Sequence, residues 1–212
     1  MRQESLSFFD LGICNYKIAL AKQKDYWQKR VNSVIPNTLI FVEHPPVFTI
    51  GKHGNKSNLL ITESLLDEKN IQLYRIDRGG DITFHGPGQL IGYPIFMLNN
   101  PLIGLKKFIH KIEECLCNSL KAFNINAITK YPSIGVWVEN KKIASIGIAV
   151  AKRVSYHGFA LNISTDLSYF RFINPCGIQQ IEMTSMNQIL EKNISTELVK
   201  IKVKNEFMRI FS

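Results

Sequence analysis

Short apolar runs of strand character dominate this chain, and a helical period appears in few places. Residues 6–13 (LSFFDLGI) and 38–44 (TLIFVEH) predict two strands, the second stopped by Pro45 and Pro46, which cannot donate to a sheet ladder. VFTIGKHG resumes in extended form, and QLYRID, GQLIGYPIFML, IGVWV, KIASIGIAVA and HGFALNIS predict further strands. Glu139, Asn140 and Lys141 join two of them as a hairpin turn. The clearest helix is expected over residues 103–123, where Leu105, Phe108, Ile109, Ile112, Leu116 and Leu120 recur at i, i+3, i+4 and i+7. A weaker stripe of Ile18, Ala21, Tyr26 and Val31 predicts a helix over residues 15–32. TESLLDEKN, capped by Thr62 and ending near Asn70, and STELVKIKVKNEFMRIF, capped by Ser195, complete the helices. Strands outnumber helices, which is the pattern of an α+β fold. With no repeat or linker in view, residues 1–212 are expected to form one domain.

Composition narrows the function classes. No apolar run is long enough to span a bilayer, and the N-terminus carries no signal-like or Arg-rich segment, so a cytoplasmic protein without a membrane role is expected. The cysteines, Cys14, Cys115, Cys117 and Cys176, form no CxxC pair and no metal spacing; reduced thiols and no metal site are expected. Lys and Arg number 26 against 17 Asp and Glu, a net charge of +9. The lysines are scattered rather than interleaved with aromatic residues, which gives nucleic acid no support, whereas an acidic protein partner would be steered by such a field.

One stretch breaks the alternation. DRGGDITFHGPGQLIGYPI, residues 77–95, concentrates turn formers and directional polar groups. A plain connection accounts for Gly79, Gly80, Gly86, Pro87 and Gly88, but it gives no reason for Arg78, Thr83, His85 and Gln89 among them. Glycines that admit a ligand to the backbone, alternating with hydrogen-bonding side chains, describe a binding site. The segment lacks the GK[ST] of a P-loop and the glycine spacing of a dinucleotide fold.

RGGDITFHGPGQLIGY resembles the signature of the lipoyl(octanoyl) transferases of lipoate biosynthesis. EHPPVFTIGK, KIASIGIAV, HGFALN and INPCGIQQIEMTS follow the same family in order, so the resemblance covers most of the chain between residues 43 and 185. It implies the fold of the biotin and lipoate protein ligases, a mixed sheet flanked by helices. It also implies an activity: octanoyl moves from acyl carrier protein to a lipoyl-domain lysine through a cysteine thioester, without cofactor or ATP. The implied acceptors are the lipoyl domains of 2-oxoacid dehydrogenase complexes and the glycine cleavage H protein. Carried over by position, the nucleophile is Cys176 and its partner Lys142. The implied substrate contacts are Arg78, Gly79, Gly80, Asp81, Ile82, Thr83, Phe84 and His85, then Ser145, Ile146 and Gly147, then Gly158, Phe159 and Ala160.

The residue chemistry separates the cysteines. Cys115 shares the stripe of Ile112 and Leu116 and is expected to pack; Cys117 lies off it, and Cys14 opens a helix beside no catalytic-looking neighbour. Cys176 sits in Asn174-Pro175-Cys176-Gly177, where regular structure is interrupted, as a nucleophile on a loop requires. The base stays open on residue chemistry alone. His85 and His157 are the commoner partner type for a thiol, whereas Lys142, the family's choice, opens an apolar strand where desolvation favours a neutral amine. Lys141 is expected to be a solvated turn lysine, His85 to orient loop or substrate, and His157 to be structural. Three rivals remain: an ATP-dependent ligase of the same fold, a non-catalytic acyl- or lipoyl-domain-binding protein, and a transferase acting between lipoyl-type domains.

Overall fold

Pro45 and Pro46 mark the boundary between two sheets in the computed structural model, which describes residues 6–98, 101–175 and 181–211. Before them, β2 (Thr38–Glu43) lies in a seven-stranded sheet; after them, β3 (Val47–Ile50) belongs to a three-stranded one. The larger sheet runs β1 (Ser7–Ile13), β2, β6 (Gln89–Ile95), β10 (Val154–Asn162), β9 (Lys141–Ala151), β8 (Ser133–Val138) and β7 (Ile128–Lys130). β1 and β2 are parallel and the other neighbours antiparallel, so the sheet is mixed. In the smaller sheet β3 lies between β4 (Gln72–Arg75), to which it is parallel, and β5 (Ile82–His85), to which it is antiparallel.

Alternation along the central strands feeds two cores. Leu39 and Phe41 of β2, Leu90 of β6, and Phe159 and Leu161 of β10 meet α3 (Pro101–Lys121) and α5 (Thr196–Phe211), which contribute Phe108, Ile112, Leu116, Val203 and Phe207. The intervening residues Ile40, Val42, Ile91, Tyr93 and Ala160 face the other way, with Ala19 of α1 (Tyr16–Val31). A third cluster lies under the smaller sheet, where Phe48, Ile50, Ile82 and Phe84 pack with Phe170 and with Leu66 of α2 (Glu63–Glu68). The expected Thr62 cap is present, its hydroxyl accepting from Leu65 N at 3.3 Å. No helix among the described residues is long and apolar enough to cross a membrane.

The structure departs from the sequence pattern at named places. In α1 the buried residues are Tyr16, Ala19, Gln23 and Arg30, while Ile18 is 57% exposed. Arg30 Nε donates to Asn37 Oδ1 at 2.9 Å, and Gln23 Oε1 accepts from His157 N at 2.7 Å while its amide nitrogen is buried without a hydrogen-bond partner among the described residues. Residues 77–95, where no strand was expected before GQLIGYPIFML, contain β5, whose four residues pair along β3. β10 begins at Val154, ahead of the expected start at residue 157, and β7 and α4 (Met186–Leu190) carry too few residues to announce a period.

Candidate active site

The small side chains on one face of the large sheet make the floor of a cavity. Ser145 and Gly147 of β9 stand opposite Ala160 and Gly158 of β10, and Ile91 of β6 lies opposite Ala160. The roof is the Arg78–Gly79–Gly80–Asp81 turn with Ile82, Thr83 and His85 of β5, and Tyr16 of α1 also lines the cavity. All the expected substrate contacts line this cavity except Phe84. Strand alternation sends Phe84 to the opposite face of β5, where it stacks on Tyr169 at 4.5 Å between ring centroids and packs beside Phe48 and Phe170.

Arg78 braces the roof as much as it lines the cavity. Its Nη2 donates to the Thr49 carbonyl at 2.6 Å and to Thr49 Oγ1 at 3.0 Å, and its Nη1 donates to the Gly79 carbonyl at 3.0 Å. Asp81 accepts from its own chain at Ile82 N, from Asn55 N, and from Asn58 Nδ2 at 2.6 Å. Asn58 in turn accepts Asn174 N–H at its carbonyl, 2.8 Å away. Asn174 stands two residues before Cys176, which lies outside the described residues.

Lys142 owes its direction to a β-bulge. Val136 of β8 pairs with Ala144, but Trp137 pairs with Lys142, so Ile143 is an extra residue on β9. Plain alternation would give Lys142 the face of Ala144 and Ile148, packed toward α3 and α5. The extra residue puts it in phase with Ser145 and Gly147 instead. The side chain is 3% exposed, with Nζ 5.3 Å from the Trp137 ring centre. Gly135 makes room for it: at φ +129°, a Cβ there would stand 2.6 Å from Lys142 Cε. The backbone of Lys142 is held on both sides by the chain that follows Cys176, its N–H donating to the Glu182 carbonyl at 2.8 Å and its carbonyl accepting Thr184 N–H at 2.9 Å. Lys141, in contrast, is exposed and reaches Glu182 Oε2 at 3.3 Å, as a turn lysine should.

The histidines near the cavity are buried and tied. His85 Nδ1 donates to Gln89 Oε1 at 2.8 Å, because the Gln89 amide nitrogen is itself spent on Phe84 O and Asn162 Oδ1. Burial, reinforced by neighbouring positive charge, pushes its pKa down to about 3. His44 Nδ1 donates to the Cys14 carbonyl at 2.7 Å, its Nε2 accepts from Tyr93 O–H at 2.8 Å, and burial lowers its pKa to about 4. His157 Nε2 bonds Asp77 Oδ1 at 2.8 Å, and burial still holds its pKa below the usual histidine value. Tyr16, His44, Ile91 and Tyr93 were absent from the sequence reading of the site. His44, closing an apolar strand before two prolines, offered a faint signal; Tyr16 and Tyr93 offered none.

Two other cysteines stand apart from this chemistry. Cys115 is fully buried in the α3 core, where desolvation pushes its thiol well up, and Cys117 is raised to about 11 by burial and the Glu113 carboxylate. Among the described residues no group of His, Cys, Asp and Glu could hold a metal ion.

Residues 15–208 match the lipoyl protein ligase A/B catalytic domain family. An octanoyltransferase of Alkaliphilus metalliredigens is 43% identical over 208 residues, spanning 98% of this chain and 95% of its own. One of Dictyoglomus turgidum is 48% identical over 198 residues, spanning 92% and 83%. Among solved structures, a bipartite lipoate protein ligase of Thermoplasma acidophilum superposes with a TM-score of 0.78 at 14% identity, covering 98% of this chain and 84% of that one.

Proposed function

Because this chain belongs to the lipoyl protein ligase A/B catalytic family, among the octanoyltransferases, we propose that Cys176 carries octanoyl from donor to acceptor and that Lys142 is its base. The enzyme is an acyltransferase of protein lipoylation, and its acceptors are lipoyl-domain proteins. The donor in this reading is octanoyl-acyl carrier protein. The acceptors are the lipoyl domains of 2-oxoacid dehydrogenase complexes and the glycine cleavage H protein, and residues 1–212 act as one catalytic domain in the cytoplasm.

The observation that supports the reading most is how the chain on either side of Cys176 is moored. Upstream, Asn174 is tied through Asn58 to Asp81 in the cavity roof; downstream, Glu182 and Thr184 clasp the backbone of Lys142. In the first half-reaction the Lys142 amine takes the Cys176 proton and the thiolate attacks the octanoyl thioester. The carrier sulfur leaves and takes a proton from the Lys142 ammonium. In the second, the acceptor lysine amine attacks the acyl-enzyme and gives its proton to Lys142; Cys176 leaves as thiolate and is reprotonated from Lys142. One thioester becomes one amide, which is downhill and needs no nucleotide.

Intact mass spectrometry after mixing with octanoyl-acyl carrier protein and no ATP is expected to find one octanoyl group on Cys176. Cys176→Ala should fold normally and lose transfer by several orders of magnitude. Full activity in that variant, or a requirement for ATP, would overturn the proposal.

Charge gives a separate expectation. Carrier and lipoyl domains are acidic in this reading, and the chain carries +9. Added salt should therefore lower kcat/KM for the carrier-bound donor while kcat changes less. A salt-independent kcat/KM would assign the charge to solubility alone.

A further inference from the structure

Glu113 of α3 is a buried carboxylate with no part in the acyl transfer proposed above. Its Oε1 accepts the Gly135 N–H at 2.9 Å, and its Oε2 accepts from Nδ1 of the exposed His110, one turn earlier, at 2.9 Å. The sheet ladder skips Gly135. On β8, Val136 pairs with Thr129 of β7 and with Ala144 of β9, and Ser133 pairs with Lys130, so Ile134 and Gly135 have no register partner on either side. A buried peptide N–H left over in this way needs an acceptor, and α3 supplies it.

Gly135 is also the residue that makes room for Lys142. At φ +129° it holds a conformation that favours glycine, and a Cβ there would stand 2.6 Å from Lys142 Cε, 3.2 Å from Lys142 Nζ and 2.6 Å from the Ala144 carbonyl oxygen. The peptide that Glu113 grips is therefore part of the wall against which the Lys142 side chain lies. Two contacts connect the carboxylate on α3 to the amine: a hydrogen bond to Gly135, and the close packing of Gly135 on Lys142.

We propose that Glu113 is a positioning residue for the transfer reaction: by fixing the Gly135 peptide it fixes where the Lys142 amine stands relative to the thiol it serves. The inference rests on the assignment of Lys142 as base. Glu113 acts through an acceptor oxygen at the right reach, not through its charge, and it touches neither substrate nor the reacting atoms.

Two substitutions separate reach from charge. Glu113→Gln keeps an oxygen at the Gly135 N–H and loses the charge; kcat and the pH profile of Cys176 alkylation should stay near those of the wild type. Glu113→Asp keeps the charge and withdraws the oxygen by one methylene. Its kcat should fall about a hundredfold with KM little changed, the scale for a catalytic group displaced by about 1 Å. The alkylation profile should move toward that of Lys142→Ala. A residue that served stability alone would lower the melting temperature and leave that profile in place. Should Glu113→Asp not fold, Glu113→Met, which fills the same space without an acceptor, takes its place. A folded Glu113→Asp or Glu113→Met protein with wild-type kcat and profile overturns the proposal, as does a Glu113→Gln protein that loses activity to the same extent as Glu113→Asp. If Lys142→Ala itself leaves the profile unmoved, the assignment of the base fails instead.

Discussion

Lys142→Arg is expected to trap octanoyl on the enzyme. Arginine supplies positive charge beside the thiol but stays protonated at any accessible pH, so it can favour the Cys176 thiolate and yet cannot take the proton of the incoming amine. Acyl-enzyme should accumulate, and overall transfer should fall about a thousandfold, the usual scale for a lost general base. Lys142→Ala removes both functions: acylation slows, and thiol alkylation shifts to higher pH because the neighbouring cation is gone. The rival base makes the opposite forecast. His85 is neutral with Nδ1 committed to Gln89, so His85→Ala should weaken substrate positioning and leave the alkylation profile where it was. An alkylation profile that moves in the His85 or His157 variant, and stays put in the Lys142 variants, would make histidine the base.

Gly158→Ala should unfold well below the wild type, by about 3 kcal/mol or more in denaturant titration. A Cβ there would sit 1.9 Å from the Gly92 carbonyl oxygen and 2.8 Å from Pro94 Cδ, atoms of a neighbouring backbone and a rigid ring that cannot step aside. The β6–β10 ladder would have to part in the middle of the sheet, an overpacking cost at or above the usual 1–3 kcal/mol. Gly104→Ala is the matching comparison. Gly104 lies in α3 with Leu98 Cβ at 3.8 Å from the added carbon, and the change should raise stability by up to about 1 kcal/mol through helix propensity. Equal midpoints for Gly158→Ala and wild type would mean the two strands are further apart than described.

These positions also show what the sequence discloses. The stripe of α3 was legible because its whole inner face meets an apolar sheet face, so period and burial coincide. α1 defeated the same test because Gln23 and Arg30 occupy inward positions and make Oε1 and Nε bonds there that no hydropathy pattern encodes. The roof of the cavity was legible from residue chemistry, since its turn formers and polar groups are contiguous. Phe84 was carried with that stretch, yet the pleat turns it into another core. The facing of Lys142 was hidden for a different reason. One unpaired residue, Ile143, reverses the parity of everything before it, and parity is all that alternation can report. Tyr16, His44 and Tyr93 meet from three separate elements, so their proximity exists in the fold and nowhere in the local sequence.

The strand order has a kinetic meaning. The floor of the cavity is the junction of β6, β10 and β9, and α3, β7, β8 and β9 all lie in the chain between the first two of these. Zipping β6 against β10 therefore closes one of the longest loops in the molecule, an entropic cost paid before any long-range contact rewards it. A refolding chain can assemble the β8–β9 hairpin or the small sheet first and still have nowhere for an acyl tail to lie. Capture of a fluorescent fatty acyl probe during refolding would thus mark completion of the central ladder rather than collapse, and the same probe would stabilise the finished protein against every partly zipped form.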